Sequence, residues 1–415
     1  MLAANRRASR QESWTWKKGA QVAVTLNVRT GHCPHLRFLE SDDKPQALYE
    51  KARQATLEHQ AYVSEELANT LQAHGAAGLF LDPERTILSS PLCQPRTSNR
   101  RNTALHQAHL SNRAFETIAT SLAESVGVMA TARIQNVNKK TVLRVLTKAG
   151  AHCAKVSYAL LQNLSVSECQ LDEMWSFVGK KEKNLEPIEK LRQSMGDTWF
   201  WIAFDAVNKL VFAYVVGKRT LPHAVSLLQE VKRVTAHMPE LFSSDQLDHY
   251  ANALLQVYGE VIWPERKPGP GRPPNPRLIP PEDLLYAQVV KRYEQNRVAE
   301  VTRKVIFGNP RRVESILAAS PVSHTINTSY VERNNGTIRH MDARCVRKTL
   351  RFSKIKQNHE YQLSLTLAYY HLCRPHKTLT KRLGQPTTPF LAADVTDHIW
   401  TMHDLLSFQP EIHFR

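Results

Sequence analysis

The sequence contains few cysteines, and none of them form a close pair. Its six cysteines are scattered over 415 residues, at Cys33, Cys93, Cys153, Cys169, Cys345 and Cys373. No C-x-x-C spacing occurs, so neither a zinc ribbon nor a disulfide framework is indicated, and scattered thiols are typical of a reducing compartment. The cluster from His32 to His35 lacks a second ligand pair at finger spacing, so we interpret it as a chance surface cluster.

Long apolar runs are also missing. No stretch of about 18 apolar residues occurs, which argues against a membrane span. The first residues, Met1 to Arg10, contain no apolar signal core, so we expect no secretion.

Acidic residues are scarce relative to basic ones. The chain has 55 lysines and arginines against 38 aspartates and glutamates, which gives a formal net charge of +17. Such an excess favours a polyanionic partner, most often nucleic acid, because binding releases condensed counterions. Ribosome-like solvation or binding to a membrane surface would also explain the excess. We expect a cytoplasmic, DNA-associated protein with double-stranded DNA as its partner.

Composition and periodicity divide the chain into four regions. They are a poorly readable region at 1–110, an all-α helix-turn-helix at 111–155, a mixed α/β domain at 165–375 and a C-terminal tail at 376–415. In the first region, Ala20 to Asn27 predicts a strand and about Lys44 to His74 predicts a helix. Proline-rich and basic residues suggest that 264–322 is an insertion in the α/β domain.

The helix-turn-helix prediction rests on three helical patterns. Phe115, Ile118 and Leu122 form one apolar face, Met129 to Ile134 is a short helix, and Lys139 to Lys148 is a third helix. The start of the last helix enters the major groove in such a motif. The residues predicted to contact DNA are Asn138, Lys139, Lys140, Thr141 and Arg144, of which Asn138 is also a candidate N-cap. The alternative is a plain three-helix bundle with a solvated basic face, and the net charge favours DNA binding.

After this motif the apolar residues no longer recur at helical spacing but in short runs typical of strands, which predicts a mixed sheet. Glu168 to Val178, Trp199 to Val207 and Leu210 to Val216 are three consecutive strands, the last two in a tight hairpin. Leu221 to Met238 predicts a helix, and Leu241 to Ser244 a short strand that ends at Asp245. This order is typical of a sheet with helices packed against its faces.

The first strand carries two adjacent acids. Strand alternation points Asp172 and Glu173 to opposite faces, so we expect only one of them to point into a site. Asp172 shares its face with Gln170 and Ser176, whereas Glu173 is expected at the rim.

Three further acids have different simple explanations. Asp205 is placed to start the hairpin turn. Asp245 ends a strand, where the ligands of open sheets gather. Asp248 is explained as an acid in the first turn of a helix, and it remains a rival to Asp245.

Thr328 to Met341 predicts a basic amphipathic helix with one carboxylate near its start. Asn335 lies three residues after Glu332, and Arg339 lies seven residues after it. All three side chains therefore project from one side of the helix. Taken alone, Glu332 is explained by the helix dipole. Together with Asp172 and Asp245, it could hold divalent metals against a phosphodiester, because Mg²⁺ prefers oxygen ligands.

This ordered set of acids resembles the Asp-Asp-Glu transposases, and most closely the insertion-sequence-one family. The matching segments are Leu171-Asp-Glu-Met-Trp-Ser-Phe-Val-Gly179, Trp201-Ile-Ala-Phe-Asp205, Val216-Gly-Lys-Arg-Thr220, Ser244-Asp245 with Tyr250, Tyr330-Val-Glu-Arg-Asn-Asn-Gly-Thr-Ile-Arg339, Arg347-Lys-Thr-Leu-Arg-Phe-Ser-Lys354, Tyr369-Tyr-His-Leu-Cys-Arg-Pro-His376 and Thr396-Asp-His-Ile-Trp400. The resemblance covers roughly residues 111 to 405.

The resemblance implies a ribonuclease-H-like catalytic domain with Asp172, Asp245 and Glu332 as its catalytic metal ligands. It also implies that Arg339 and Asn335 bind DNA, with Arg339 near the DNA backbone and Asn335 supporting the same helix face. Two Mg²⁺ ions are expected, with Mn²⁺ as the alternative. The implied reaction is strand cleavage by water at the element ends, after which the freed 3′-hydroxyl attacks target DNA. A homo-oligomer in a synaptic complex is implied as well.

Two departures from the family pattern support a second hypothesis. The family often carries an N-terminal zinc ribbon, and its second acid is often followed by glycine rather than by Gln246. A catalytically inactive, transposase-derived DNA-binding protein is therefore the alternative. A ribonuclease-H-like nuclease that joins no ends is a third hypothesis.

Overall fold

The chain divides into two compact units, residues 1–115 and 116–415. The computed structural model describes residues 100, 102–191, 194–264, 275–295 and 297–410, together with the backbone of 3–7, 11–16, 22–27, 79–82, 85–88 and 97–98. In the first unit these short segments form two antiparallel three-stranded sheets, one of which includes Val22–Asn27, within the predicted strand. The predicted helix at 44–74 and most of the proline-rich run lie outside the described residues.

The remaining elements are numbered from residue 112 onward. The helices are α1 (Asn112–Ala123), α2 (Val128–Ile134), α3 (Lys139–Leu160), α4 (Pro187–Leu191), α5 (Leu221–Val234), α6 (Asp248–Tyr258), α7 (Pro310–Ala319), α8 (Ser329–Met341), α9 (Lys356–Leu372), α10 (Lys377–Leu383), α11 (Pro389–Ala392) and α12 (Met402–Ser407). The strands are β1 (Glu168–Val178), β2 (Gly196–Asp205), β3 (Leu210–Gly217), β4 (Leu241–Asp245), β5 (Glu260–Ile262), β6 (Arg277–Ile279), β7 (Tyr286–Glu294) and β8 (Arg297–Phe307).

Helices α1 to α3 follow the predicted helical patterns. Asn136 adopts a left-handed conformation (φ 49°) in the turn before α3, which an asparagine tolerates better than most residues. Asn138 caps α3, because its side-chain oxygen accepts a hydrogen bond from the Lys140 backbone N–H at 2.9 Å. The third helix is longer than predicted, since it continues to Leu160 and packs along α9.

Six strands form one mixed sheet in the order β3-β2-β1-β4-β7-β8. Strands β1, β2 and β3 are antiparallel neighbours, as the alternating apolar runs predicted. Strand β4 pairs in parallel with both β1 and β7, and β8 returns antiparallel to β7. The mixed α/β fold class predicted from the sequence is thus present.

The interpretation of 264–322 as an insertion needs correction. Residues 286–307 form β7 and β8, which are two strands of the sheet itself. Tyr286 and Ala287 of β7 are buried beside β4, so this hairpin belongs to the core of the domain. The prediction extended the insertion too far along the chain, because it joined the proline-rich run to the two strands that follow it.

The predicted C-terminal tail also contains ordered helices. α12 lies against α3, where His152 Nε2 is 3.0 Å from the carbonyl oxygen of Leu405. Phe390 of α11 is fully buried and stacks on His371 of α9 at 5.1 Å between ring centroids. These helices therefore cover α3 and α9 rather than trailing from them.

A hydrophobic cluster joins the sheet to α8 and α9. Its buried members are Met174, Phe200, Ile202, Phe204, Val211, Val331, Ile338, Cys345, Leu363 and Leu367. Since this cluster lies under α8, it holds that helix against the face of β1 that also carries Asp172. Among the helices of the described residues, none is long and apolar enough to cross a membrane.

Candidate active site

Asp172 and Asp245 come together because β1 and β4 are parallel neighbours. The last pairs in their ladder are Phe242 with Cys169 and Ser243 with Gln170. Two residues further along each strand, the same register brings Asp245 beside Asp172. Side chains two apart on a strand share a face, so the pairing fixes both carboxylates on one side of the sheet.

Helix α8 is attached to the same strand by two polar contacts. Gln170 Oε1 accepts a hydrogen bond from the Val331 backbone N–H at 3.0 Å, in the first turn of α8. One helical turn later, the Asn335 amide donates to Asp172 Oδ2 at 2.7 Å. Asn335 is only 5% exposed, so in this structure it orients Asp172. The sequence placed Asn335 on the correct face of the helix but did not identify this partner.

Three carboxylates converge at this point. Oxygen atoms of Asp172, Glu173 and Asp245 all lie within 4.8 Å of one another. The expectation that only one of Asp172 and Glu173 could point into a site was therefore wrong. Alternation does separate the two side chains at their Cβ atoms, but the longer glutamate side chain still reaches the acids.

Glu173 is held by two residues that the sequence did not connect with it. Arg219 donates to Glu173 Oε1 through Nε at 2.8 Å and also through Nη2. Tyr250, in α6, donates its hydroxyl hydrogen to Glu173 Oε2 at 3.0 Å. Both residues occur in the matching segments, which was the one signal in the sequence that singled them out.

Burial and like charges act together on these acids. Burial, followed by the nearby charge of Glu173, raises the pKa of Asp172 to about 7, with smaller contributions from Asp245 and Glu332. Burial and Asp245 raise the pKa of Glu173, and Arg219 and Tyr250 oppose that rise. Carboxylates brought together in this way repel one another, and a bound cation would relieve the repulsion.

Glu332 lies near this group but is not among the three converging carboxylates. It is exposed in the first turn of α8, where its Oε1 accepts a hydrogen bond from the Thr328 hydroxyl at 2.8 Å. Lys291 of β7 forms an ion pair with the same oxygen. The negative charge of Glu332 nevertheless reaches Asp172, because it contributes to the raised pKa of that acid.

No family model and no curated protein matches this chain. The interpretation of the site therefore depends on its own geometry and on the motifs in the sequence.

The structure separates Asp245 from its rival Asp248. Asp245 belongs to the converging group, and its Oδ1 also accepts the Leu247 backbone N–H at 3.1 Å. Asp248 is exposed as the first residue of α6. Asp205 caps the β2–β3 turn, because it accepts the Val207 N–H at 2.8 Å and the Asn208 N–H at 3.2 Å. The turn role predicted for Asp205 is thus confirmed.

The donor set suits a hard divalent cation. Mg²⁺ and Mn²⁺ are bound by carboxylate oxygens, and here such oxygens project from a rigid pair of strands. Glu173 already forms an ion pair with Arg219 and accepts the Tyr250 hydroxyl hydrogen, so its negative charge is partly neutralised within the protein. Asp172 and Asp245 are therefore the candidate ligands, and Glu332 stands beside them on α8.

The predicted DNA-contacting residues lie in two places. Asn138, Lys139, Lys140 and Arg144 are exposed at the start of α3, and Thr141 is half-buried. Arg339 lies on α8, where its guanidinium donates to the Trp175 carbonyl oxygen at 3.4 Å. Its buried Nε has no hydrogen-bond partner among the described residues.

Proposed function

We propose that this protein is a transposase that binds the ends of an insertion element and catalyses metal-dependent strand cleavage and strand transfer. The observation that carries the proposal is the placement of Asp172 and Asp245 on adjacent parallel strands under a helix that carries Glu332 in its first turn. The order of these acids and the motifs around them agree with the resemblance to the Asp-Asp-Glu transposases. The net charge of +17 supports a DNA substrate.

The residues of the site have distinct roles in this proposal. Asp172 and Asp245 hold divalent cations, and Glu332 completes the set from the first turn of α8. Such ions, when bound, would activate the attacking oxygen and stabilise the leaving oxygen. Asn335 fixes the orientation of Asp172 through its 2.7 Å hydrogen bond.

The proposed chemistry needs only water and DNA as reactants. In cleavage, water attacks the phosphorus at the element end, the bond between phosphorus and the 3′-oxygen breaks, and a 3′-hydroxyl is left. In strand transfer, that hydroxyl attacks a phosphodiester of target DNA, and the 3′-oxygen of the target leaves. Residues at the start of α3, including Lys139, Lys140 and Arg144, bind the element ends, and a second copy of the chain is expected at the paired ends.

The test is an assay with purified protein, Mg²⁺ and a labelled duplex made from the DNA that flanks the coding sequence. The wild type should cleave this duplex and join the cleaved ends to a second DNA, and Glu332→Gln should do neither. Because Glu332 is exposed, this isosteric change should leave folding intact.

Other outcomes favour the alternatives. Sequence-specific binding without cleavage by either protein would favour the inactive DNA-binding descendant. Nicked products with no joined ends would favour a nuclease. Cleavage that survives Glu332→Gln and Asp172→Asn would remove the proposed site altogether.

A further inference from the structure

Residues 343–359, which follow α8, form a segment that we call the basic arm. It contains six lysines and arginines and no acidic residue. The side chains of Arg347, Lys348 and Lys354 are exposed, and Leu350 between them is 96% exposed. An exposed leucine between cations on an anchored segment fits a partner that offers both an apolar surface and anionic groups.

The base of the arm is fixed by buried polar contacts. Asp342 accepts the Arg344 backbone N–H at 2.8 Å, and the Arg344 guanidinium donates to the Ser353 hydroxyl at 3.0 Å. The Ser353 carbonyl oxygen accepts the Gly179 N–H at 2.7 Å, directly after β1. Phe352 packs on Phe177 with ring centroids 5.1 Å apart. The arm is therefore held in one place while its tip points outward.

One end of the arm lies near Arg339 of α8, whose guanidinium donates to the Trp175 carbonyl oxygen in β1. Burial, and after it the charge of Arg347, lowers the pKa of Arg339, and the charge of Asp172 opposes this. Two neighbouring guanidinium groups repel each other, and the buried Nε of Arg339 has no partner among the described residues. An anion bound between Arg339 and Arg347 would relieve the repulsion and could accept that N–H.

The other end of the arm lies against the turn that precedes α2. The Arg351 guanidinium donates to the Ser125 carbonyl oxygen at 2.8 Å, and its aliphatic part packs over Gly127. A methyl group at Gly127 would lie 2.9 Å from Arg351 Cδ, so the arginine side chain would have to shift. The arm thus spans the distance from the acids to the helix-turn-helix.

We propose that the basic arm binds duplex DNA between these two places. Arg347, Lys348 and Lys354 contact the phosphates, and Leu350 enters the minor groove and unstacks a base step. Charge complementarity supports a nucleic acid over a protein partner, and apolar wedges flanked by cations are a known way of kinking DNA. This inference rests on the proposed function, because both require DNA as the ligand.

The first test measures DNA binding without chemistry. Fluorescence anisotropy with a labelled mixed-sequence duplex, in EDTA, gives the affinity as a function of salt. Arg347→Ala with Lys348→Ala should lower the slope of log K against log salt by roughly 1.8, from about 0.9 per phosphate contact. Lys377→Ala with Lys381→Ala is the matched control, since it removes two exposed charges from α10. α10 contacts the β2–β3 turn through Arg382, at the opposite end of β1 from the arm.

The second test examines the tip of the arm. A duplex with 2-aminopurine should brighten when the wild type binds it, and Leu350→Ser should abolish that signal with the salt slope unchanged. The inference would be overturned if the two double variants had equal slopes of log K against log salt, or if Leu350→Ser gave the same 2-aminopurine signal as the wild type. The proposed function would be unaffected by either result. A wild-type protein that binds no DNA would overturn both.

Discussion

The hydroxyl of Tyr250 lies 3.0 Å from Glu173 Oε2 and donates a hydrogen bond to it. This contact connects α6 to β1 at the point where Asp172 and Asp245 converge. Arg219 contacts the other oxygen of Glu173, so the carboxylate is held from two sides. Glu173 is thereby fixed beside the candidate metal ligands, and we expect its placement to affect how they bind a metal ion.

Tyr250→Phe removes this hydrogen bond without opening a cavity. Outer residues that orient metal ligands typically contribute about 10- to 100-fold to metal affinity, so the Mg²⁺ concentration for half-maximal DNA cleavage should rise by about 10-fold. Tyr258→Phe, also in α6, is the matched control, because the buried Tyr258 hydroxyl has no hydrogen-bond partner among the described residues. If both variants require the same Mg²⁺ concentration as the wild type, Glu173 has no positioning role.

Arg219→Ala leaves the Glu173 carboxylate without its ion-pair partner. The Glu173 side chain is only 3% exposed, whereas Arg219 is 42% exposed, so solvent screens part of the loss. We expect the free energy of unfolding to fall by about 1–3 kcal/mol, as measured in urea. Adding Glu173→Gln should restore most of it, because the double variant buries no unpaired charge. A double variant that is as unstable as the two single changes summed would contradict the coupling.

Two helical glycines should respond to alanine in opposite directions. A methyl group at Gly150 in α3 would overlap Cβ and the carbonyl oxygen of Tyr361 in α9. Gly150→Ala should therefore lower the free energy of unfolding by about 2 kcal/mol or more. Gly336 in α8 has nothing within 4 Å of its would-be methyl group, so Gly336→Ala should stabilise by about 0.5–1 kcal/mol. Thermal unfolding checks both, and a neutral Gly150→Ala would contradict the close packing of α3 on α9.

Buried histidines should make the protein less stable in mild acid. Burial lowers the pKa of His152 to about 4, and that of His359 and of His371 to about 3. The unfolded chain takes up these protons below about pH 6.5 while the folded chain does not. Their contribution is therefore fully present above pH 6.5 and is lost as the pH falls towards 3.

The variant His359→Gln tests this pH dependence. At pH 5 each buried histidine lowers the free energy of unfolding by up to about 2 kcal/mol, since a pKa difference of one unit corresponds to about 1.36 kcal/mol. Glutamine keeps a polar group near Ser353, which lies 3.0 Å from His359 Nδ1, but it does not ionise in this range. The difference in unfolding free energy between pH 7.5 and pH 5 should shrink in His359→Gln. An unchanged difference would show that His359 is protonated in the folded protein.

Much of the fold could be read from local patterns. Strands β1 to β3 follow from alternating apolar residues, and α3 follows from Asn138 and the helical period after it. The place of β7 in the sheet could not be read, because parallel pairing with β4 is a long-range contact that leaves no local pattern. The apolar run from Tyr361 to Cys373 predicts a helix, but α9 begins earlier, at Lys356, because its polar first residues carry no apolar period.

The candidate site was predicted only in part. Asp172 and Asp245 were found because acids at strand positions of this kind are rare and their order carries a motif. Glu173 was misplaced, because alternation describes where a Cβ points and not where a long side chain ends. Its partners Arg219 and Tyr250 lie 46 and 77 residues away in sequence, which no periodicity connects.

The most direct test of the central claim compares two acids three residues apart. Asp245 is grouped with Asp172, whereas Asp248 is exposed at the start of α6. The measurement is the single-turnover rate of Mg²⁺-dependent cleavage of the flanking-DNA duplex by Asp245→Asn and by Asp248→Asn. The account predicts that Asp248→Asn cleaves at nearly the wild-type rate, and that Asp245→Asn is slower by about 10³-fold or more. Wild-type cleavage by Asp245→Asn, or loss of cleavage in Asp248→Asn alone, would contradict it.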